Sequence, residues 1–185
     1  MSSPDRDALV KAFLERAAGL GCKTKRSPDL DSALEFIAGF CREMSFSKIV
    51  VTPAAKDLLR NNRSIPLAEV NSIRGYDQAE AGVVLADYGI AETGSLVQIT
   101  GSDDEKLAGI LPRVCIAILE SRKIVETGES LAAVISAHLS QMSVPGPQVS
   151  FISGPSRTAD IENQLCIGVH GPSDLVLIVV DGAQP

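Results

Sequence analysis

The sequence predicts an α/β fold, a three-layer, Rossmann-like sheet with helices packed against it. Three observations carry that reading. Helical and strand-like segments alternate along the 185 residues, and no low-complexity linker divides them. Aromatic residues are 4% of the chain and Trp is absent, so the core must be built from Val, Ile, Leu and Ala, which suits helices on a parallel sheet. Residues 174–181, DLVLIVVD, form a continuous apolar run between two acids, the pattern of a strand covered on both faces. The length fits one domain over 1–185, with a helical N-terminal part at 1–46 and a motif-bearing part at 80–181.

Residues 3–21, SPDRDALVKAFLERAAGLG, read as an amphipathic helix. Ser3 caps it, Pro4 fits the first turn, and Asp5 and Asp7 suit the positive end of the helix dipole. Leu9, Phe13, Leu14 and Ala17 make its apolar stripe, and Gly19 and Gly21 end it. Residues 27–44 repeat the design, with Ser27 as cap and Leu30, Leu34, Ile37, Cys41 and Met44 as the stripe. Residues 47–53 read as a short buried strand, 54–62 as a short helix, and 82–100 as two apolar runs around a Gly-punctuated polar centre. A helix at 104–112 closes at Pro112, a strand follows at 113–120, and 127–142 is helical with Thr127 or Gly128 at its cap. Strands are predicted at 149–153, 165–169 and 174–181.

Two polar clusters stand where strands end, and ligands of open α/β sheets usually sit outside the carboxyl ends of strands. In the first, Ser153, Gly154, Ser156, Arg157, Thr158 and Asp160 lie within ISGPSRTADIE. Gly154 permits an unusual turn, and Pro155 can open a helical turn. Ser156 and Thr158 offer hydroxyls, Arg157 offers a planar fork for carboxylate or phosphate, and N–H groups at a helix start favour the same anions. A capped helix start with Arg157 paired to Asp160 or Glu162 accounts for the same spacing. His170 follows between two Gly-containing turns. In the second cluster Glu92, Thr93, Gly94 and Ser95 precede an apolar strand. Gly94 would let backbone approach a ligand, and Glu92 would serve as base, nucleophile or acceptor, unless this is simply a turn with a solvated acid. The tripeptide recurs as Glu126-Thr127-Gly128.

Composition narrows the partners. A net charge of −6 with few aromatic residues argues against nucleic acid, which calls for a basic surface and stacking platforms. No apolar run approaches the roughly 20 residues of a membrane span. The first ten residues have no signal-peptide pattern, and the expectation is a cytoplasmic protein. Cys22, Cys41, Cys115 and Cys166 are widely spaced, so they read as reduced thiols and not as ligands of zinc or an iron–sulfur cluster; no metal and no cofactor is expected.

Taken in order, IAETGSLV (90–97), ISGPSRTADIE (152–162) and GVHGPSDLVLIVVD (168–181) resemble the LUD domain family, which includes the lactate utilization protein C (YkgG) group. The resemblance covers roughly residues 80–181. It implies a sheet like that of the ribose-5-phosphate isomerase and CoA-transferase group. It also implies a part in oxidising L-lactate to pyruvate beside partner proteins that carry iron–sulfur clusters. The chain departs from the family pattern in its acidic stretch GSDDEKLAGILP, in Ser95 where Thr is more usual, and in ADYGI where ADAAI is more usual. Three readings follow: a lactate-utilization component that binds a small organic anion through Arg157, with Glu92 or His170 moving a proton; a stand-alone enzyme of the CoA-transferase, isomerase or cyclo-ligase type with Glu92 as nucleophile or base; and an organic-acid-binding protein without turnover. In each, the Arg157 cluster is expected at the carboxyl edge of the sheet, facing Glu92.

Overall fold

A computed structural model describes residues 3–59, 62, 64–68, 72–141, 148–158 and 166–182. Along the chain run α1 (Ser3–Gly19), β1 (Lys23–Ser27), α2 (Leu30–Glu43), β2 (Ile49–Val51), α3 (Pro53–Leu59), α4 (Ile73–Asp77) and β3 (Ala81–Leu85). Then come β4 (Tyr88–Ile90), β5 (Ser95–Thr100), α5 (Asp103–Ile110), β6 (Val114–Glu120), β7 (Ile124–Val125) and α6 (Gly128–Gln141). The last elements are β8 (Gln148–Ile152), β9 (Arg157–Thr158), β10 (Cys166–Ile167) and β11 (Asp174–Val180). Among the described residues no helix is long and apolar enough to cross a membrane.

The predicted α/β class holds. Five strands form a parallel sheet in the order β1-β11-β6-β3-β2, with β6 at its centre. Every residue of β11 after Asp174 is buried, as the unbroken apolar run requires. Alternate side chains serve opposite faces. Leu175, Leu177 and Val179 pack with Val10, Phe13 and Ala17 of α1. Val176, Ile178 and Val180 pack with Ala33, Leu34 and Ile37 of α2 and Ala55 of α3. Each aliphatic side chain fully buried in this way contributes about 1.5–3 kcal/mol.

The stretch from Lys23 to Asp29 differs from the sequence reading in two ways, for one reason. Residues 23–27, KTKRS, are polar yet form the edge strand β1, pairing with β11 from Lys23↔Val176 to Ser27↔Val180. The side chains lie over apolar surface with their charges outward. The Lys23 ammonium stands 5.9 Å from the Phe40 ring centroid and that of Lys25 5.7 Å from Phe36. Lysines on an edge strand also deter pairing with another chain. Ser27 therefore closes β1 and is buried, and the cap of α2 is Asp29, whose side chain accepts from the Ser32 N–H at 2.7 Å.

The segment 82–100 resolves into β3 and the β4–β5 hairpin. Its second half belongs to a separate four-stranded sheet, β7-β4-β5-β8, in which β5 pairs antiparallel with both β4 and β8. That sheet shares a core cluster with α1, through Ala91, Leu96 and Ile124, while Leu131 of α6 packs with Ile90, Val97 and Ile99. The repeated tripeptides turn out to be neighbours: β4 runs parallel to β7, and the Glu92 N–H donates to the Glu126 carbonyl at 2.9 Å.

Gly94 closes the hairpin with φ +70, and a Cβ there would stand 2.5 Å from the Ala17 backbone nitrogen. Left-handed backbone costs a residue with a side chain about 1–2 kcal/mol, and here α1 would also have to move. Gly94→Ala is expected to lower stability by roughly 2 kcal/mol or more, a fall in Tm of about 4–8 °C for a chain of this size; an unchanged melting curve would contradict the packing of α1 on the hairpin.

Cys22 precedes β1, one step before the Lys23↔Val176 pair, beside Leu175, which itself pairs with Cys115 of β6. Burial pushes the Cys115 thiol up to about 12, with Cys22 adding to the shift, and pushes Cys22 up to about 11 against an opposing pull from Arg157. A raised pKa leaves stability intact below the ordinary value of 9.0 and removes it as pH climbs toward the folded value. Urea unfolding is expected to show stability falling between about pH 9 and 12, and less steeply in Cys115→Ala; parallel slopes would show that the thiols are not protonated for this reason.

Candidate functional site

The site is built where β8 hands the chain to residues 153–157. Ile152 of β8 pairs with Leu96 of β5, which sets Ser153 alongside Ser95. Their hydroxyls meet at 2.7 Å, and Thr93 donates to Ser95 at 2.8 Å. Ser95 is buried, so this hydroxyl chain leads from the exposed Thr93 through the interior to the exposed Ser153. Such chains are mutually polarised in a low dielectric. The next residues are clamped by backbone bonds: the Ser156 N–H donates to the Pro172 carbonyl at 2.8 Å, and the Gly168 N–H donates to the Ser156 carbonyl at 3.0 Å.

Arg157 opens strand β9 of a two-stranded ribbon with β10. It does not stand at a helix start, which removes that source of N–H donors. Its guanidinium donates to the Leu20 carbonyl at 2.6 Å, just past the carboxyl end of α1, where a cation is favoured. Gly21, with φ +93, lets the guanidinium lie against the backbone. One of the five guanidinium N–H groups is used in this bond, and the side chain remains exposed.

These residues surround a cavity of about 360 Å³. Ser153, Gly154, Ser156, Arg157 and His170 line it, together with Cys115, Leu175, Phe151, Ile152 and Ile110. Cys115 and Leu175 lie near the beginnings of β6 and β11. The cavity is thus at the amino edge of the five-stranded sheet, and the expectation of the carboxyl edge is corrected. The reason is topological: the segment follows β8, a strand of the second sheet, and it is the carboxyl end of that strand that meets the cavity.

The carboxyl edge holds a different groove, of about 530 Å³, which the sequence reading missed. Leu85, Ile118 and Val180 floor it, and Asp29, Asp31, Glu120 and Lys123 are its charged residues. Lys123 is already bonded to Glu120 at 3.1 Å, and Arg122 binds the other carboxylate oxygen. Burial works to raise the Glu120 pKa, but these two cations hold it below the ordinary range. The polar residues of that groove sit at the first turn of α2 and the end of β6, positions that show no motif in the sequence.

Of the residues singled out in the sequence, the structure gathers Ser153, Gly154, Ser156, Arg157 and His170 into one cavity. Ser95 and Thr93 reach it through the hydroxyl chain. Gly94 meets the backbone of α1. Glu92 is exposed on the hairpin turn and does not line the cavity, so the structure does not bring it face to face with Arg157 there. Thr158 continues β9. Asp160 and Glu162 lie outside the described residues.

Comparisons with known proteins agree with this architecture. The LUD domain model matches residues 10–180. Lactate utilization protein C of Geobacillus sp. (strain WCH70) is 36% identical over 104 residues, 56% of this chain and 43% of that protein. The uncharacterized protein YkgG of Escherichia coli (strain K12) is 32% identical over 120 residues, 63% of this chain and 50% of its own. The matches thus span about half the length of these curated relatives. The crystal structure of a DUF162 family protein from Deinococcus radiodurans shares the fold, with a TM-score of 0.68 over 95% of this chain and 98% of that one at 18% identity. On the extent of the family match, which runs from α1 to the last residue of β11, this chain belongs to the LUD domain family.

Proposed function

We propose that this chain is a component of L-lactate utilization that binds a small organic anion in the Arg157 cavity and acts with iron–sulfur partner proteins. The observation that carries the site is the placement of Arg157: its guanidinium is anchored by the Leu20 carbonyl beside a cavity that also presents His170 and the Ser156 segment. A fork held in place loses less freedom on binding a carboxylate than a free side chain would. The carboxyl-edge groove is a poorer seat for an anion, since Asp29, Asp31 and Glu120 line it and its Lys123 already has a carboxylate partner. The pathway rests on family membership and on the names of the relatives.

In this reading Arg157 takes the carboxylate of lactate or pyruvate, His170 exchanges the proton of the substrate oxygen, and Ser153 and Ser156 give neutral hydrogen bonds. Oxidising lactate removes a hydride from C2, and its two electrons need a redox group. The four cysteines lack ferredoxin-type spacing, so those electrons are assigned to the partners. Thr93 acts at a distance, through the hydroxyl chain that ends on Ser153. The stand-alone reading with Glu92 as nucleophile is less favoured, because Glu92 does not line the cavity.

Calorimetric titration of the purified protein with pyruvate and L-lactate tests the site. A charge-assisted hydrogen-bond pair is worth about 1.5–3 kcal/mol, so Arg157→Ala is expected to weaken binding roughly 10- to 100-fold, with Arg157→Lys between the two. Equal affinity in Arg157→Ala, or no binding by the intact protein, would contradict the proposal.

A further inference from the structure

The Arg157 cavity is polar at one end and apolar at the other. Arg157, His170 and Ser153 stand at its mouth and are exposed. Its inner end is formed by Cys115, 2% exposed, and Leu175, 3% exposed, with the half-buried Ile152 beside them. These three side chains share one face. Leu175 pairs with Cys115 in the parallel ladder, and Ile152 of β8 packs against the same core cluster. A thiol is a weak donor and a weak acceptor, and the other two side chains offer no polar atom. Burial keeps the Cys115 thiol protonated, its pKa pushed up to about 12, so the inner end carries no charge at neutral pH. An acid therefore enters in one orientation. Its carboxylate would lose its hydration without replacement at the inner end, whereas Arg157 meets it at the mouth. The carbon farthest from the carboxylate is then carried inward, toward Cys115 and Leu175.

We infer that Cys115, with Leu175 and Ile152, reads C3 of the acid: the site takes a three-carbon 2-oxo or 2-hydroxy acid whose C3 is a bare methyl, and turns away acids with a hydroxyl on that carbon. This rests on the reading of Arg157 as the anion anchor and adds the choice among small anions. Taking the methyl group out of water is expected to tighten binding about fourfold over an acid that lacks it. A C3 hydroxyl buried there without a hydrogen-bond partner is expected to weaken binding roughly tenfold or more.

The test is a titration series with glyoxylate, pyruvate, 2-oxobutanoate and hydroxypyruvate, on the intact protein and on Cys115→Ser and Cys115→Ala. The melting temperature of each free variant is measured first. The intact protein is expected to bind pyruvate most tightly of the four, ahead of glyoxylate about fourfold and of hydroxypyruvate roughly tenfold or more. In Cys115→Ser the new hydroxyl gives a C3 hydroxyl its partner, so the gap between pyruvate and hydroxypyruvate is expected to narrow roughly threefold or more. In Cys115→Ala the vacated space is expected to move the preference from pyruvate toward 2-oxobutanoate. Both effects change the order among ligands, which a variant that is merely less stable would not do. Equal binding of pyruvate and hydroxypyruvate by the intact protein, or an unchanged order in both variants, would overturn the inference and leave the anion site standing. No binding of any of the four acids by the intact protein would overturn the anion site itself. A loss of all four acids in equal proportion in both variants would show that Cys115 shapes the fold and does not select the ligand.

Discussion

The candidate site hangs from the parallel ladder between β6 and β11. Seven residue pairs, from Asp174↔Val114 to Val180↔Glu120, hold two strands that are apolar on both faces. A shift of one residue would exchange the side chains facing α1 with those facing α2 and α3. The register sets Leu175 beside Cys115 at the amino edge, and that pair forms part of the cavity lining. The Lys23 ammonium ties the same edge to Asp174 at 3.1 Å, bringing β1 into line. For Asp174, burial works to raise the pKa, but the hydrogen bonds from Lys23 and Ser173 keep it below the ordinary value.

From that edge the second sheet does the positioning. β8 reaches the cavity only because β5 pairs with it along five residues, and β5 is fixed against α1 through the hairpin that Gly94 closes. Leu20, the residue that follows the same helix, then supplies its carbonyl to Arg157. One element, α1, thus supports both clusters. This explains how two stretches about sixty residues apart in sequence come together through a Ser95–Ser153 contact, although Glu92 does not share the Arg157 cavity.

The fold class was legible because the signals that carry it are local. DLVLIVVD and RVCIAILE state their double-faced burial residue by residue, and the Thr127 cap of α6 follows from spacing, whereas Ser3, expected as the cap of α1, is the first residue of that helix. What escaped was set by tertiary contacts. KTKRS has no apolar pattern, and becomes a strand only because β11 offers an open edge and Phe36 and Phe40 offer a surface for lysine stems. The polar residues of the Arg157 cluster were visible as a group, but the edge they occupy depends on which sheet receives β8. The sequence does not state that choice.

The claim that the amino-edge cavity is where this protein meets its ligand is tested most directly by a crystal structure grown with pyruvate. The carboxylate is expected within about 3.2 Å of the Arg157 guanidinium. Density for the acid in the carboxyl-edge groove over Asp29, Glu120 and Lys123, with the Arg157 cavity holding only water, would contradict it.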